Sequence, residues 1–199
     1  MSITAILVEY LADLIEYLGY IGIFILMTLE SSGIPIPSEI VVTFAGFKSF
    51  EGSFNLIDIT LVSTLANLTG SLIFYYIGYR YGGPFVDRYG KYLRLNNEHI
   101  DLVKRWFGKY GDISIFIGRI TPGVRTYISF PAGLARMNLR NFIILTLIGS
   151  IIWNYMLAYA GYVLRDNWHK IIPIIDYIAI IAIPLIIIIL YIMWRNKLI

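Results

Sequence analysis

Three runs without a charged residue dominate the pattern: residues 59–79, 141–164 and 177–194, with lengths of 21, 24 and 18. A helix rises 1.5 Å per residue, so about 20 residues cross the roughly 30 Å hydrocarbon core of a bilayer. Each run predicts a transmembrane helix. Pro184 predicts a kink in the last one, which neighbouring helices can absorb. The other apolar stretches are too short to cross. Residues 17–29 run directly into Glu30, and residues 40–47 follow Glu39. Residues 113–118 and 126–135 flank Arg119 and Arg125 in the same way. Each pair of short legs surrounds proline: Pro35 and Pro37 in the first, Pro122 (with Pro131 downstream) in the second. Proline lacks the backbone N–H and disfavours helix in the residue before it, so both segments break about halfway through the bilayer. The pattern predicts two re-entrant hairpins that return to the side they entered from. Irregular backbone at that depth survives only where it is buried in protein or lines a watery cavity.

Two further segments are amphipathic. Ile3, Ile6, Leu7, Tyr10, Leu11, Leu14, Ile15 and Leu18 follow helical spacing, with Glu9, Asp13 and Glu16 between them. The acidic character of this helix favours packing on the bundle over lying on a lipid surface. Residues 97–109 read as a short surface helix with Asn96 or Asn97 as cap, Gly111 beyond its end, and Ile100, Val103, Trp106 and Phe107 on one face. Arg80 followed by Tyr81, Gly82 and Gly83 reads as the end of the preceding helix. The expected fold is all-α and forms one domain over 1–199. An amphipathic helix (1–18) precedes a hairpin plus transmembrane helix (19–79). A cytoplasmic connector (80–112), a second hairpin plus helix (113–164) and a last helix (177–194) follow. The two hairpins would enter from opposite faces as an inverted repeat, with their tips meeting near the midplane, an arrangement suited to a substrate reached from both sides.

Composition agrees with a lipid environment. Of 199 residues, 58% are hydrophobic and 15% charged, against about a quarter charged in soluble domains. There is no cysteine, which excludes disulfides and thiolate metal sites. No cation precedes Lys48, so the start of the chain lacks the basic segment of a cleaved signal peptide. If residues 113–135 dip and return, one side holds 11 cations: Arg80, Arg88, Lys91, Arg94, Lys104, Arg105, Lys109, Arg136, Arg140, Arg195 and Lys197. The other side holds Lys48, Arg165 and Lys170. That bias places the C-terminus in the cytoplasm of a multi-pass plasma-membrane protein. Phosphate-binding loops, dinucleotide fingerprints and nucleophile elbows are missing from the sequence, and His99 and His169 lack ligand-spaced partners. No enzyme activity, cofactor, metal or nucleic-acid partner is expected.

Glu30, Glu39, Arg119 and Arg125 sit at the hairpin breaks. Each charge at mid-bilayer costs about 2.5–3.5 kcal/mol on insertion scales, a large fraction of the roughly 5–15 kcal/mol that stabilises a protein. Two carboxylates facing two guanidiniums would cancel. One reading is a salt-bridge cluster that only pins the hairpins. In the other, the forks of Arg119 and Arg125 bind an anionic head group, phosphate above all, while Glu30 and Glu39 exchange protons. Both can hold together. Asn67, Gly70, Ser71 and Gly78, and likewise Gly149, Trp153 and Asn154, suit close helix approach, with Asn154 a candidate cavity residue.

At these residues the chain resembles the DedA family, a branch of the SNARE-associated Golgi protein (VTT-domain) superfamily. The resemblance covers residues 19–153. It rests on Glu30, Pro35, Pro37 and Glu39; on Asn67 and Gly70; on Tyr76, Gly78, Arg80 and Gly82; and on Phe107, Lys109, Tyr110 and Gly111. Its most specific part is Phe116, Gly118, Arg119, Pro122, Gly123 and Arg125, followed by Ala132, Gly133, Met137, Phe142, Gly149 and Trp153. Ser38, before the second glutamate, fills a position that is glycine in some relatives. The resemblance implies two opposed re-entrant hairpins, dependence on the proton motive force, and lipid transport: recycling of polyprenyl phosphate, flipping of phosphatidylethanolamine, or scrambling. It implies essential roles for Glu30, Glu39, Arg119 and Arg125, with Pro35, Pro37, Pro122, Gly123 and Gly133 shaping the hairpins. The implied partners are phosphate-bearing membrane lipids and protons, and an oligomer stays open. The competing reading is a proton-coupled ion or small-solute transporter.

Overall fold

The computed structural model describes residues 3–34, 36–93 and 97–170, with side chains described outside 1–8, 83, 85–100 and 169. Among these residues the regular structure is all helical, with no strand: α1 (Ile3–Leu18), α2 (Tyr20–Ser31), α3 (Ser38–Phe50), α4 (Leu56–Leu93), α5 (Asn97–Arg119), α6 (Val124–Tyr127), α7 (Ser129–Leu134), α8 (Leu139–Leu164) and a 3₁₀ turn at Arg165–Lys170.

Helix α1 packs on α2 and α3, burying Leu11 and Ile15 in the same core as Ile23 and Val41. Gly19, at φ 60, separates α1 from α2. Helices α2 and α3 then form a hairpin of short legs. Their 12 and 13 residues reach only about 18–20 Å each. The turn closes where Gly33 adopts φ 102 and its N–H donates to the Glu30 carbonyl, a left-handed helix ending that suits glycine. Pro37 precedes α3, its carbonyl accepting from the Ile40 and Val41 N–H groups; Pro35 lies outside the described residues. The legs return to one level, because the Tyr20 hydroxyl accepts from Asn55 N–H at 2.8 Å and the Tyr20 and Phe54 rings lie 5.0 Å apart.

Asn55 caps α4, its side-chain oxygen accepting from Ile57 N–H at 2.8 Å. Two segments are long and apolar enough to cross a membrane, Leu56–Gly82 and Leu139–Trp168. The third expected span, 177–194, lies outside the described residues. Two expectations need correction. Helix α4 does not stop after Arg80 but continues through Gly82, Gly83 and Pro84 to Leu93. Proline removes one N–H, a loss that this helix absorbs, and Gly82 seats against the Leu134 side chain. Likewise, the helix expected over 97–109 does not end near Gly111 but continues to Arg119 as α5. The apolar face through Val103 and Phe107 runs on in helical phase to Ile115, and Gly111 packs beside Met137.

The second hairpin is less regular. After Arg119 the chain turns through Pro122 and Gly123, forms the short α6 and α7, and comes back to the level of Asp112, which accepts from Asn141 Nδ2 at 3.1 Å. Asn138 caps α8 through Arg140 N–H at 2.9 Å. Helices α4 and α8 pack together at the centre, and each hairpin lays one leg on each: α2 and α7 on α4, α3 and α5 on α8. Glycines permit the closest approaches. A Cβ on Gly46 would overlap the Ala158 carbonyl and one on Gly161 the Thr43 carbonyl. Gly133 and Gly78 stand in the same relation to the carbonyls of Tyr75 and Phe130.

The distribution of polarity is reversed relative to a soluble bundle. Leu61, Leu65, Ile73, Ile144, Ile148 and Ile151 point outward, whereas Thr64, Asn67, Ser71, Thr146, Ser150 and Asn154 are buried. An outer surface of large aliphatics around a polar interior is a surface built for lipid.

Candidate functional site

The two hairpin turns meet beside α4, and the charges expected there do come together, though not as two matched pairs. Glu30, in the last turn of α2, is 3% exposed. Arg125, on α6, grips it with two N–H groups: Nη2 to Oε2 at 2.8 Å and Nε to Oε1 at 3.3 Å. Thr126 Oγ1 donates to Oε1 at 2.5 Å. Ser31 Oγ donates to Oε2 at 2.8 Å and Asn67 Nδ2 to the same oxygen at 3.3 Å. Five donors thus converge on one carboxylate, and a buried ion pair needs such satisfaction to offset its desolvation. The shell extends into α8, where Asn154 Nδ2 donates to Asn67 Oδ1 at 2.8 Å. The Arg125 guanidinium also lies 5.8 Å from the Trp153 ring centroid.

Arg119 does not face a carboxylate. Buried at the end of α5, it donates from Nη1 to the Arg125 carbonyl at 2.9 Å and from Nη2 to Ser129 Oγ at 2.7 Å. Its guanidinium sits 5.6 Å from the Phe142 ring centroid, and its Nε has no partner. Arg119 therefore braces the backbone that presents Arg125. Glu39, in the first turn of α3, is only half-buried, and its carboxylate accepts from the Ser38 hydroxyl at 3.2 Å. Among the described residues neither Glu39 nor Arg119 belongs to an ion pair. The expectation of two carboxylates cancelling two guanidiniums is corrected to one pair, Glu30 with Arg125. The reason lies in the turns: α6 directs Arg125 toward the C-terminal end of α2, whereas Glu39 starts the opposite leg.

A cavity of about 210 Å³ with charged side chains in its wall lies between the turns, lined among others by Glu30, Pro37, Ser38, Glu39, Gly123 and Arg125. Gly123, at φ 74, makes the turn that starts α6. Pro122 is buried beside it, and Gly133 sets the depth of α7 against α4 through the Tyr75 carbonyl. Thr126, Ser31 and Ser129 are site residues that sequence reasoning passed over. Thr60, Thr64, Asn67 and Ser71, with Thr146, Ser150 and Asn154, recur every three or four residues in otherwise apolar runs. Those two polar stripes were the available signal for the inner faces of α4 and α8.

A helical bundle with an aliphatic exterior, a polar interior and a buried ion pair between two half-length hairpins defines a membrane protein. The VTT domain model matches residues 36–163, and the chain belongs to that family, also called DedA. It is 35% identical over 192 residues to undecaprenyl phosphate transporter A of Staphylococcus aureus, covering 92% of this chain and 93% of that one. It is 39% identical over 155 residues to undecaprenyl phosphate transporter A of Bacillus subtilis, covering 77% and 76%. A Lactococcus lactis relative, 37% identical over 173 residues with 84% and 81% covered, is named an alkaline phosphatase-like protein. Among these relatives, two are named as transporters and one carries a phosphatase-like label. No solved structure matches the chain.

Proposed function

We propose that this protein moves a phosphate-bearing lipid, a polyprenyl phosphate or a phospholipid, across the plasma membrane as a proton-coupled flippase or scramblase. In this reading the hairpins are re-entrant, dip from opposite faces as an inverted repeat and meet near the midplane. The chain is multi-pass with a cytoplasmic C-terminus, as the 11 cations on one side favour. The observation that carries the reading is the two-point grip of Arg125 on Glu30 at the wall of the cavity between the turns. A guanidinium fork that holds a carboxylate side-on holds a phosphate in the same way. The relatives named undecaprenyl phosphate transporter supply the lipid class.

The charge balance of the cavity supplies the coupling. A phosphate monoester carries about −1.5 to −2 at pH 7. It would enter beside Glu39, which accepts from Ser38 Oγ, and would compete with Glu30 for Arg125. Two carboxylates and a phosphate around one guanidinium repel strongly, so the lipid enters when a carboxylate takes up a proton. In this reading Glu39, half-buried and in no ion pair among the described residues, takes up that proton, while Glu30 is the counter-ion released as phosphate displaces it. Arg119 positions Arg125 and stands next in line for the head group. The hydrocarbon chain stays in lipid while the head crosses. The test is reconstitution in liposomes with a fluorescent polyprenyl phosphate and an imposed pH gradient. The expected result is gradient-dependent loss of lipid sidedness that Arg125→Ala and Arg119→Ala abolish. Electrogenic solute flux without a change in lipid sidedness would favour a small-solute transporter instead.

A further inference from the structure

A further cavity, of about 620 Å³, opens at the base of the second hairpin, away from the turns. Sites for small molecules span about 300–1,000 Å³. Its wall includes Lys104, Lys109, Asp112, Arg136, Asn138 and Asn141, so three cations face one carboxylate. The Asp112 oxygens accept from Asn141 Nδ2 at 3.2 and 3.1 Å, and that uncharged donor leaves the excess of positive charge in place. Lys104 also meets Asp101 at 3.5 Å, an exposed pair of little strength. The cavity lies where α8 begins, at one end of a segment long and apolar enough to cross a membrane. In a bilayer that end falls at the level of the head groups, where tyrosines such as the exposed Tyr79 gather.

The backbone at Arg136 supplies a second, independent observation. Helix α7 ends in a tight turn: Arg136 N–H donates to the Gly133 carbonyl at 2.9 Å and Met137 N–H to the Ala132 carbonyl at 3.1 Å. Arg136 closes that turn at φ 56, a left-handed position that ordinarily falls to glycine because a Cβ crowds the backbone there. The Tyr75 hydroxyl donates to the Met137 carbonyl and holds the turn on α4. An arginine therefore stands where the local backbone favours glycine, and what it adds is its side chain. The guanidinium lies 5.2 Å from the Tyr79 ring centroid, and among the described residues it belongs to no ion pair. Stacking on a ring occupies the face of a guanidinium and leaves its N–H edge for an oxyanion.

We propose that this basin is a phosphate site at the membrane surface, with Arg136 as the fork and Lys104 and Lys109 as flanking charges. Its ligand is a terminal phosphate, carried by a lipid head group or free in solution. The proposal goes beyond the transport reading and does not depend on it. Asp112 stands seven residues before Arg119 on α5, about 10 Å along the helix, so the basin and the Glu30–Arg125 site are different places.

The chain has no cysteine, and a Cβ at Gly108, in the cavity wall, meets nothing within 4 Å. Gly108→Cys can thus carry an environment-sensitive fluorophore that reports on this cavity. The labelled full chain is placed in phosphatidylcholine nanodiscs and titrated with inorganic phosphate, and separately in nanodiscs with rising dioleoyl phosphatidic acid. The expected result is a saturable response that Arg136→Gly weakens about tenfold, as the loss of charged hydrogen bonds predicts. The thermal midpoint of that variant stays level or rises, since glycine suits the turn. Arg136→Lys, which keeps the charge and loses the fork, also weakens the response. Arg140→Gln removes an exposed cation outside the wall and leaves it within about twofold. A response to phosphatidic acid assigns the site to lipid head groups, and a response to inorganic phosphate alone assigns it to free phosphate; either supports the site. Silence toward both probes overturns the proposal. So does an equal loss in Arg140→Gln and Arg136→Gly, the mark of diffuse surface charge. The response should persist in Arg125→Lys, whatever that variant does to lipid movement, and its disappearance there would overturn the claim of a separate site.

Discussion

The two hairpins perform the same packing task with different backbones. The first is built of intact legs, α2 and α3, and carries Glu30 and Glu39. The second ends a long helix, breaks into α6 and α7, and carries Arg119 and Arg125. Each rests one leg on α4 and the other on α8, with glycine against a carbonyl at Gly46 and Gly161 in one case and at Gly133 and Gly78 in the other. Exchanging α2 with α5, α3 with α7 and α4 with α8 reproduces the packing pattern. The charges break this correspondence. By position Glu30 matches Arg119 and Glu39 matches Arg125, yet only Glu30 and Arg125 pair. Sorting carboxylates to one hairpin and guanidiniums to the other makes the tips attract. Among the described residues Glu39 and Arg119 have no ionic partner, and Arg119 instead braces the Arg125 backbone.

The largest expected effect comes from breaking the pair that joins the hairpins. Glu30→Ala or Arg125→Ala leaves a buried charge unmatched and should destabilise the protein by about 3–5 kcal/mol. The double variant should recover a substantial part of that loss, and a thermal-unfolding double-mutant cycle in detergent measures the difference. Additive losses would mean that the two side chains stabilise the fold independently.

The glycine contacts should come next. Gly133→Ala and Gly46→Ala drive a methyl group into a carbonyl of the neighbouring helix, and overpacking of this kind costs about 1–3 kcal/mol. Similar losses on α7 and α3 would sharpen the correspondence between hairpins, whereas a loss at only one would show that the other interface gives way. The smallest effect on stability, and the sharpest on function, belongs to Glu39. With the Ser38 hydroxyl as its one hydrogen-bond partner among the described residues, Glu39→Gln should change stability by less than about 0.5 kcal/mol. In pH-jump liposomes it should make lipid movement independent of the proton gradient. A Gln variant that still responds to the gradient would transfer the proton to Glu30.

The sequence alone determined the features that depend on neighbours along the chain. Charge-free runs marked α4 and α8, since crossing lipid is a matter of length and hydropathy. Pro37 and Pro122 marked the breaks, since proline acts on its own backbone. Four charges at those breaks marked the candidate site. Two features were misjudged locally: Gly82 to Pro84 and Gly111 looked like helix ends, yet packing on Leu134 and beside Met137 carries both helices through. Only the tertiary structure decided which carboxylate meets which guanidinium. Glu30 and Arg125 are 95 residues apart, and their meeting depends on the rotation and depth of α2 and α6, which glycine contacts set to within a fraction of a helical turn. The same holds for the cavity between the turns, whose walls come from both hairpins together. Pairing and cavity shape are properties of relative position in space, and no one-dimensional pattern encodes them.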